Sequence, residues 1–255
     1  MENNESNNII NEKADEIIEN NNKIENNNIT ILFENSKYKI EKVKVKEKID
    51  DENIFKVILI GNTSVGKTSL SLRITEGLFD ENSHATIGFD IFNFMAKINE
   101  IPIKLQIWDT CGLEDFSSCT VNFYKGASLV LVVYAINDER SFEDLNQWIN
   151  LVRQNSSPDI LIFIVGNKVD LENERKIQKE EGEKYKEDNE LNFFTESSAK
   201  TNEFVNELFI QAIIQLYEQN IDEKSGIFIH ENFQKRKDSL KLNNQQLNKK
   251  KNKCC

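Results

Sequence analysis

The stretch Gly61-Asn62-Thr63-Ser64-Val65-Gly66-Lys67-Thr68 decides the fold. It follows the apolar run Val57-Ile58-Leu59-Ile60 and precedes residues 69–78, which read as a helix. This is the G-x-x-x-x-G-K-[ST] spacing in the strand–loop–helix setting that it requires. Glycine lets such a loop close tightly round a phosphate with its N–H groups turned inward. The helix that follows adds unpaired N–H groups and the positive end of its dipole. Lys67 has the reach for β- and γ-phosphates, and the Thr68 hydroxyl can ligate Mg²⁺. Read blandly, the same residues are a turn with a solvated lysine. The strand before it and the helix after it argue against that.

Outward from this loop, apolar runs and helical spacing alternate. Residues 54–60 read as a first core strand, 89–98 and 103–108 as two strands around the turn Asn99-Glu100-Ile101-Pro102, and 127–136 as a central strand. Residues 139–154 carry helical spacing (Phe142, Leu145, Trp148, Ile149, Val152), 160–165 form another buried strand, 172–186 a charged surface helix, and 191–195 a short strand. Thr201 is placed to cap a closing helix with the stripe Val205, Leu208, Phe209, Ala212 and Leu216. The alternation predicts an α/β fold: a mostly parallel six-stranded sheet with helices on both faces. Ligands then belong at the carboxyl ends of the strands, where the phosphate loop already lies.

The ends differ from this middle. Residues 1–51 are an asparagine-rich extension; 12 asparagines fall within residues 1–35, which read as disordered. Within residues 38–49, Tyr38, Ile40, Val43 and Val45 alternate roughly with charged residues, as either an added edge strand or an extended lead-in. Residues 52–221 are long enough for one domain with a full core. Residues 222–255 are a polar tail. Its last part carries Lys235, Arg236, Lys237, Lys241, Lys249, Lys250, Lys251 and Lys253 against Asp238, on a chain whose net charge is -11. An acidic body with a basic tail meets anionic surfaces tail first and argues against nucleic-acid binding by the domain. The four cysteines, Cys111, Cys119, Cys254 and Cys255, lack C-x₂-C spacing, which points to a reducing, cytosolic setting. No apolar run near 18 residues and no signal-peptide core are expected from the sequence.

Three further constellations carry chemistry. In Trp108-Asp109-Thr110-Cys111-Gly112, an acid ending an apolar strand can hold Mg²⁺, directly or through water, and Gly112 offers an N–H to a γ-phosphate. In Asn167-Lys168-Val169-Asp170, the Asp170 carboxylate can accept from the N1–H and 2-amino group of guanine, donors that adenine lacks. Asn167 can bond the base edge or tie loops together, and Lys168 can lay its stem over the base. In Glu196-Ser197-Ser198-Ala199-Lys200, a backbone N–H can meet the guanine carbonyl. Taken singly, each could be a polar turn; their order and spacing together argue otherwise.

With these motifs, Thr86-Ile87-Gly88, Tyr124-Lys125-Gly126-Ala127 and the terminal Cys254-Cys255, the chain resembles a Rab-family small GTPase of the Ras superfamily. The resemblance covers about residues 53–220 and the tail, and implies the P-loop small-GTPase fold. It implies GTP/GDP and Mg²⁺ as ligands, with phosphate contacts from residues 61–68 and Gly112. Thr68, Thr86 and Asp109 would serve the metal. Phe79, Asn167, Lys168, Asp170, Ser198, Ala199 and Lys200 would hold guanine, and Ile91, Trp108 and Phe123 would form an apolar effector triad, compatible with ordinary packing. Expected partners are an exchange factor, a GAP, effectors, and the escort and dissociation-inhibitor proteins of prenylated chains. Lipid on Cys254 and Cys255 would anchor it to the cytosolic face of a membrane, with a cytosolic pool.

The largest departure from the family pattern is Leu113, where glutamine usually orients the attacking water. Leucine has neither donor nor acceptor, so slow intrinsic hydrolysis is expected. A GAP that brings its own glutamine could restore it. Cys111, Asp115, Phe89, Ile91, Ala135, Thr63 and Ser64 also depart from the usual residues. The expected function is a membrane-anchored GTP switch that recruits effectors in vesicle traffic. The alternative is a GTP-locked recruitment scaffold without useful turnover, and an ATP-binding reading is opposed by Asn167, Lys168 and Asp170.

Overall fold

The computed structural model describes residues 29–34, 38–43, 53–81, 86–112 and 121–221. Their centre is a parallel sheet built from the most continuously apolar stretches of the chain. Strand β3 (Ile54–Ile60) pairs in parallel with β5 (Ile101–Thr110) on one side and β6 (Ala127–Ala135) on the other. Parallel pairing continues to β7 (Leu161–Asn167) and β8 (Phe193–Ser197). All nine residues of β6 and all seven of β7 are buried, as expected of strands covered on both faces.

Alternate side chains of β3 feed two cores. Val57 and Leu59 pack with Leu70 and Ile74 of helix α1 (Lys67–Glu76) and with Leu208, Phe209 and Ala212 of the last helix (Val205–Asn220). Ile58 and Ile60 point the other way. They join Tyr124 of the short α2 (Val121–Tyr124) and Leu145, Trp148, Ile149 and Val152 of α4 (Leu145–Asn155). The short α3 (Glu139–Glu143) precedes α4, and α5 (Lys179–Asp188) sits on this second face through Tyr185. The last helix is α6. Helices therefore cover both faces, as the alternation predicts.

Among the described residues the sheet has eight strands, not six, in the order β1-β2-β4-β5-β3-β6-β7-β8. Strand β4 (Phe89–Ile98) runs antiparallel to β5 through a two-residue turn at Asn99 and Glu100, both with positive φ (47° and 68°). That twist matches the right-handed twist of the strands it joins. Beyond β4 lie two strands from the N-terminal extension. Strand β2 (Lys39–Val43) pairs antiparallel with β4, and β1 (Ile29–Glu34) pairs antiparallel with β2. The added strand expected within residues 38–49 thus forms, but it is not the edge. The expectation of disorder through residue 35 fails at β1. Ile40 explains the attachment of β2: it is fully buried and belongs to the core shared with α1 and α6.

Three other expectations are corrected. Helix α1 begins at Lys67, inside the phosphate loop, instead of at residue 69. The charged stretch 172–186 divides into a 3₁₀ turn, Val169–Glu174, and α5, which starts at Lys179 behind a capping box formed by Gln178 and Glu181. Helix α6 starts after Phe204, which is left-handed at φ 54° and offers no side-chain cap; the Thr201 N–H instead donates to Ser198 Oγ at 3.0 Å. Among the described residues, no helix is long and apolar enough to cross a membrane.

Candidate functional site

The loop between β3 and α1 is shaped by its own backbone. Gly66 has φ 98°, and a Cβ there would fall 2.2 Å from Asn167 Nδ2, so only glycine fits. Lys67 folds its ammonium back under the loop and donates to the carbonyls of Gly61 (2.8 Å) and Asn62 (2.7 Å). Burial pushes its pKa down to about 8, against the opposing pull of the Asp109 charge. Asn62 is buried behind the loop: it donates to Asp144 (2.7 Å) and accepts from the Trp148 indole (2.9 Å). Val65 is fully buried and anchors the loop in the core. Thr63 and Ser64 line the cavity above it.

Across from Lys67, three oxygen-bearing side chains converge. Thr68 Oγ1 donates to Asp109 Oδ2 at 2.6 Å and lies 2.7 Å from Thr86 Oγ1, which is itself 3.5 Å from Asp109 Oδ2. Asp109 is fully buried, and its Oδ1 has no hydrogen-bond partner. Burial raises its pKa, while the Thr68 hydrogen bond and the Lys67 charge oppose the rise. An orphaned carboxylate oxygen beside two hydroxyls is a hard, all-oxygen donor set, and it fits Mg²⁺. A cation there would relieve the desolvation of the carboxylate.

The ends of β7 and β8 bring the other motifs to the same cavity. Asn167 Nδ2 donates to Val65 O at 2.8 Å, and its Oδ1 accepts from the Ala199 N–H at 3.3 Å and from Ser197 Oγ at 3.4 Å. It ties the phosphate loop to the loop after β8, the second of the two roles open to it from sequence. Asp170 Oδ1 accepts from Ser198 Oγ at 2.5 Å. Lys168 is left-handed at φ 72°, and burial lowers its pKa against the charges of Asp138 and Asp170. Lys200 pairs with Glu81 at 2.7 Å, which raises its pKa.

A cavity of about 510 Å³ joins these groups. Its lining includes Thr63, Gly66, Lys67, Thr68, Thr86 and Gly112 at one end, and Phe79, Asn167, Lys168, Asp170, Ala199 and Lys200 at the other. Asp109 and Ser198 support it through hydrogen bonds to lining residues. The volume suits a small-molecule ligand.

Sequence reasoning missed the braces. Arg73 of α1 donates to Ala199 O (2.7 Å), Lys200 O (3.0 Å) and Gly77 O (2.5 Å), holding the loop after β8 from outside. Arg175 grips Glu196 in bidentate fashion (2.6 and 2.9 Å) and Glu172 at 2.8 Å; the Glu196 contacts come first in raising its pKa. Neither arginine lies within a motif.

The expected apolar triad is assembled in part around a residue outside it. Ile91 faces Trp108 across the β4–β5 ladder, and the Trp108 and Phe123 rings lie 6.1 Å apart. Phe89 stacks on Trp108 at 5.3 Å and 9°, meets Phe123 at 5.1 Å, and is 47 % exposed. Phe89 and Ile91 are two apart on a strand and share a face, the signal that could have included Phe89. Leu113, Asp115, Cys119, Cys254 and Cys255 lie outside the described residues.

The cavity opens at the carboxyl end of β3, where strand order reverses between β5 and β6, and this defines a nucleotide-binding α/β domain of the P-loop class. Comparison with known proteins narrows the class. The model of the Ras family matches residues 56–218. The Ras-related protein Rab-30 of Homo sapiens is 38% identical over 167 residues, 66% of this chain and 82% of that protein. The Ras-related protein Rab-13 of Rattus norvegicus is 39% identical over 158 residues, 62% and 77% of the two chains. The chain belongs to the Ras family, among the Rab-like small GTPases.

Proposed function

We propose that this small GTPase is a Mg²⁺-dependent GTP/GDP switch of vesicle traffic, anchored to a cytosolic membrane face through lipid on Cys254 and Cys255. The single observation that carries the nucleotide assignment is one cavity lined by Lys67, Thr68, Thr86 and Asp170, with the buried Asp109 carboxylate held behind it by Thr68. Phosphate binding falls to residues 61–68 and Gly112, and guanine selection to Asp170 with Asn167, Lys168, Ser198, Ala199 and Lys200. Bound GTP would order the segments that carry Thr86 and Gly112, and hydrolysis would release them. Exchange factor, GAP, effectors and lipid-binding escorts are the partners this cycle requires. The cluster of Phe89, Ile91, Trp108 and Phe123 is the surface proposed for effectors.

Leu113 supports a slow intrinsic turnover, because it cannot orient water. It also favours the second reading, a GTP-locked recruitment scaffold. Single-turnover hydrolysis of bound GTP by the native chain and by Leu113→Gln, each with and without a GAP that carries its own glutamine, separates the two. Slow hydrolysis rescued by GAP supports the switch, and slow hydrolysis under both conditions supports the scaffold. A native rate equal to that of Leu113→Gln overturns the role given to Leu113. Displacement of bound GTP by ATP as readily as by GTP overturns the guanine assignment.

A further inference from the structure

The phosphate loop is tied to the segments it faces by bonds that involve only this chain. Thr63 Oγ1 donates to the Gly112 carbonyl at 2.7 Å. The two backbones touch: a Cβ on Gly112 would fall 2.4 Å from the Thr63 nitrogen and 2.6 Å from its Cα. One residue back, the Cys111 N–H donates to the Gly88 carbonyl at 3.0 Å. Two residues before Gly88, the Thr86 hydroxyl meets Thr68 at 2.7 Å. The strap thus runs from the phosphate loop through Gly112 and Cys111 to Gly88 and back to α1.

From this geometry, and resting on the nucleotide reading above, we infer that the Thr63 hydroxyl is a positioning latch: it holds the Gly112 segment, and through it Gly88, in the closed arrangement without help from a terminal phosphate. Threonine suits the task because its β-branch restricts χ1 and so fixes the direction of the hydroxyl. A bond internal to the protein acts on the closed form whichever nucleotide is present. It therefore lessens the share of closure that must come from a γ-phosphate, and narrows the difference in closed population between the diphosphate and triphosphate states. The proposal concerns conformation and needs no chemistry from Thr63.

The test uses the full chain, Thr63→Val (same shape, no donor) and Thr63→Ser (donor kept), each saturated with GDP and Mg²⁺. Hydrogen exchange is read at the Cys111 amide, with amides of β6 as the reference. Loss of one hydrogen bond predicts about fivefold faster exchange at Cys111 in Thr63→Val, no change in β6, and near-native exchange in Thr63→Ser. Because the latch favours the closed form that a terminal phosphate also prefers, its loss taxes the triphosphate state more. The release-rate ratio of GDP to a non-hydrolysable GTP analogue should therefore narrow, by up to a similar factor, in Thr63→Val. Unchanged Cys111 exchange overturns the latch, as does Thr63→Ser behaving like Thr63→Val, or acceleration shared equally by β6. Thr63→Ala provides the same comparison if the valine chain does not fold. Uptake of fluorescent GDP by the native chain is measured first. If it fails, the nucleotide reading falls, while the exchange comparison run without nucleotide still judges the latch.

Discussion

At residue scale, Asn167 works as a joint. Its amide donates to the loop before α1 and its oxygen accepts from the loop after β8, all within the buried interior. Asn167→Ala leaves the Val65 carbonyl and the Ala199 N–H without these partners, a loss of about 2 kcal/mol in unfolding free energy. Denaturant titration should find that loss, and fluorescent GDP should bind at least about tenfold more weakly, because both ends of the cavity are released together. Asn167→Asp keeps the acceptor and removes the donor, and should fall between. Lys56 gives a pH signature independent of ligand. Its ammonium sits 4.0 Å over the Trp108 ring and donates to Lys125 O at 3.2 Å, and burial pushes its pKa down to about 8 from 10.5. Between those two values the unfolded chain retains a proton that the folded chain has released, so stability rises with pH across this window; below pH 8 the cost of burying the cation is fully present. Melts of the nucleotide-free chain from pH 7.5 to 10 should show a rise that is smaller in Lys56→Met.

At element scale, α1 does two jobs, and sequence alone disclosed one. Its first turn carries Lys67 and Thr68, but its Arg73 also reaches three carbonyls, two of them in the loop after β8. Arg73→Met keeps much of the stem and removes the donors. We expect a stability loss of about 2 kcal/mol by denaturant titration and GDP release faster by roughly fivefold in a stopped-flow chase, with phosphate-loop contacts untouched. This brace also marks what could be read in advance. The strands β3, β6 and β7 were legible because burial on both faces requires continuous apolar runs, and the convergence of the motifs on one cavity was legible because each follows a strand at the same end of the sheet. Arg73 and Arg175 act across separations of 126 and 21 residues, on partners that no local period reveals. The stretch 172–186 misled for a related reason: its charges suit a surface helix anywhere, and the start at Lys179 is set by the Gln178–Glu181 box. At α6 the Thr201 side chain looked like a cap, but its backbone is held by Ser198, so the helix waits until Phe204.

At the scale of the whole molecule, the N-terminal extension enters the domain through a few residues that composition concealed. In β2 the backbone pairs with β4 from Ile40–Ile98 to Lys42–Ala96, so the outer side of β4 is hydrogen-bonded by the chain itself. Ile40 is fully buried, the Tyr38 ring meets Tyr217 edge-on at 5.6 Å, and Tyr38 Oη donates to Glu218 at 2.9 Å. Lys42 Nζ donates to Ile74 O at 2.8 Å, in the last turn of α1. Strand β2 and the Tyr38 before it therefore touch α1, which leaves the loop after β3, and α6, which follows the loop after β8, fastening the outer ends of both. Removing residues 1–43 takes away both strands, the buried side chains of Tyr38, Ile40 and Val43, of which Ile40 is the one fully buried, and both polar ties. Loss of a fully buried isoleucine alone costs about 3 kcal/mol, and in a domain of this size each 1 kcal/mol lowers the melting temperature by about 3 °C. The truncated GDP-loaded chain should thus melt roughly 10 °C below the full chain. Ile40→Ala in the full chain should account for most of the drop. A truncated chain that melts with the full one would mean that residues 38–43 add nothing to the fold. A truncated chain that loses stability while Ile40→Ala does not would move the weight from the core contact to the paired edge.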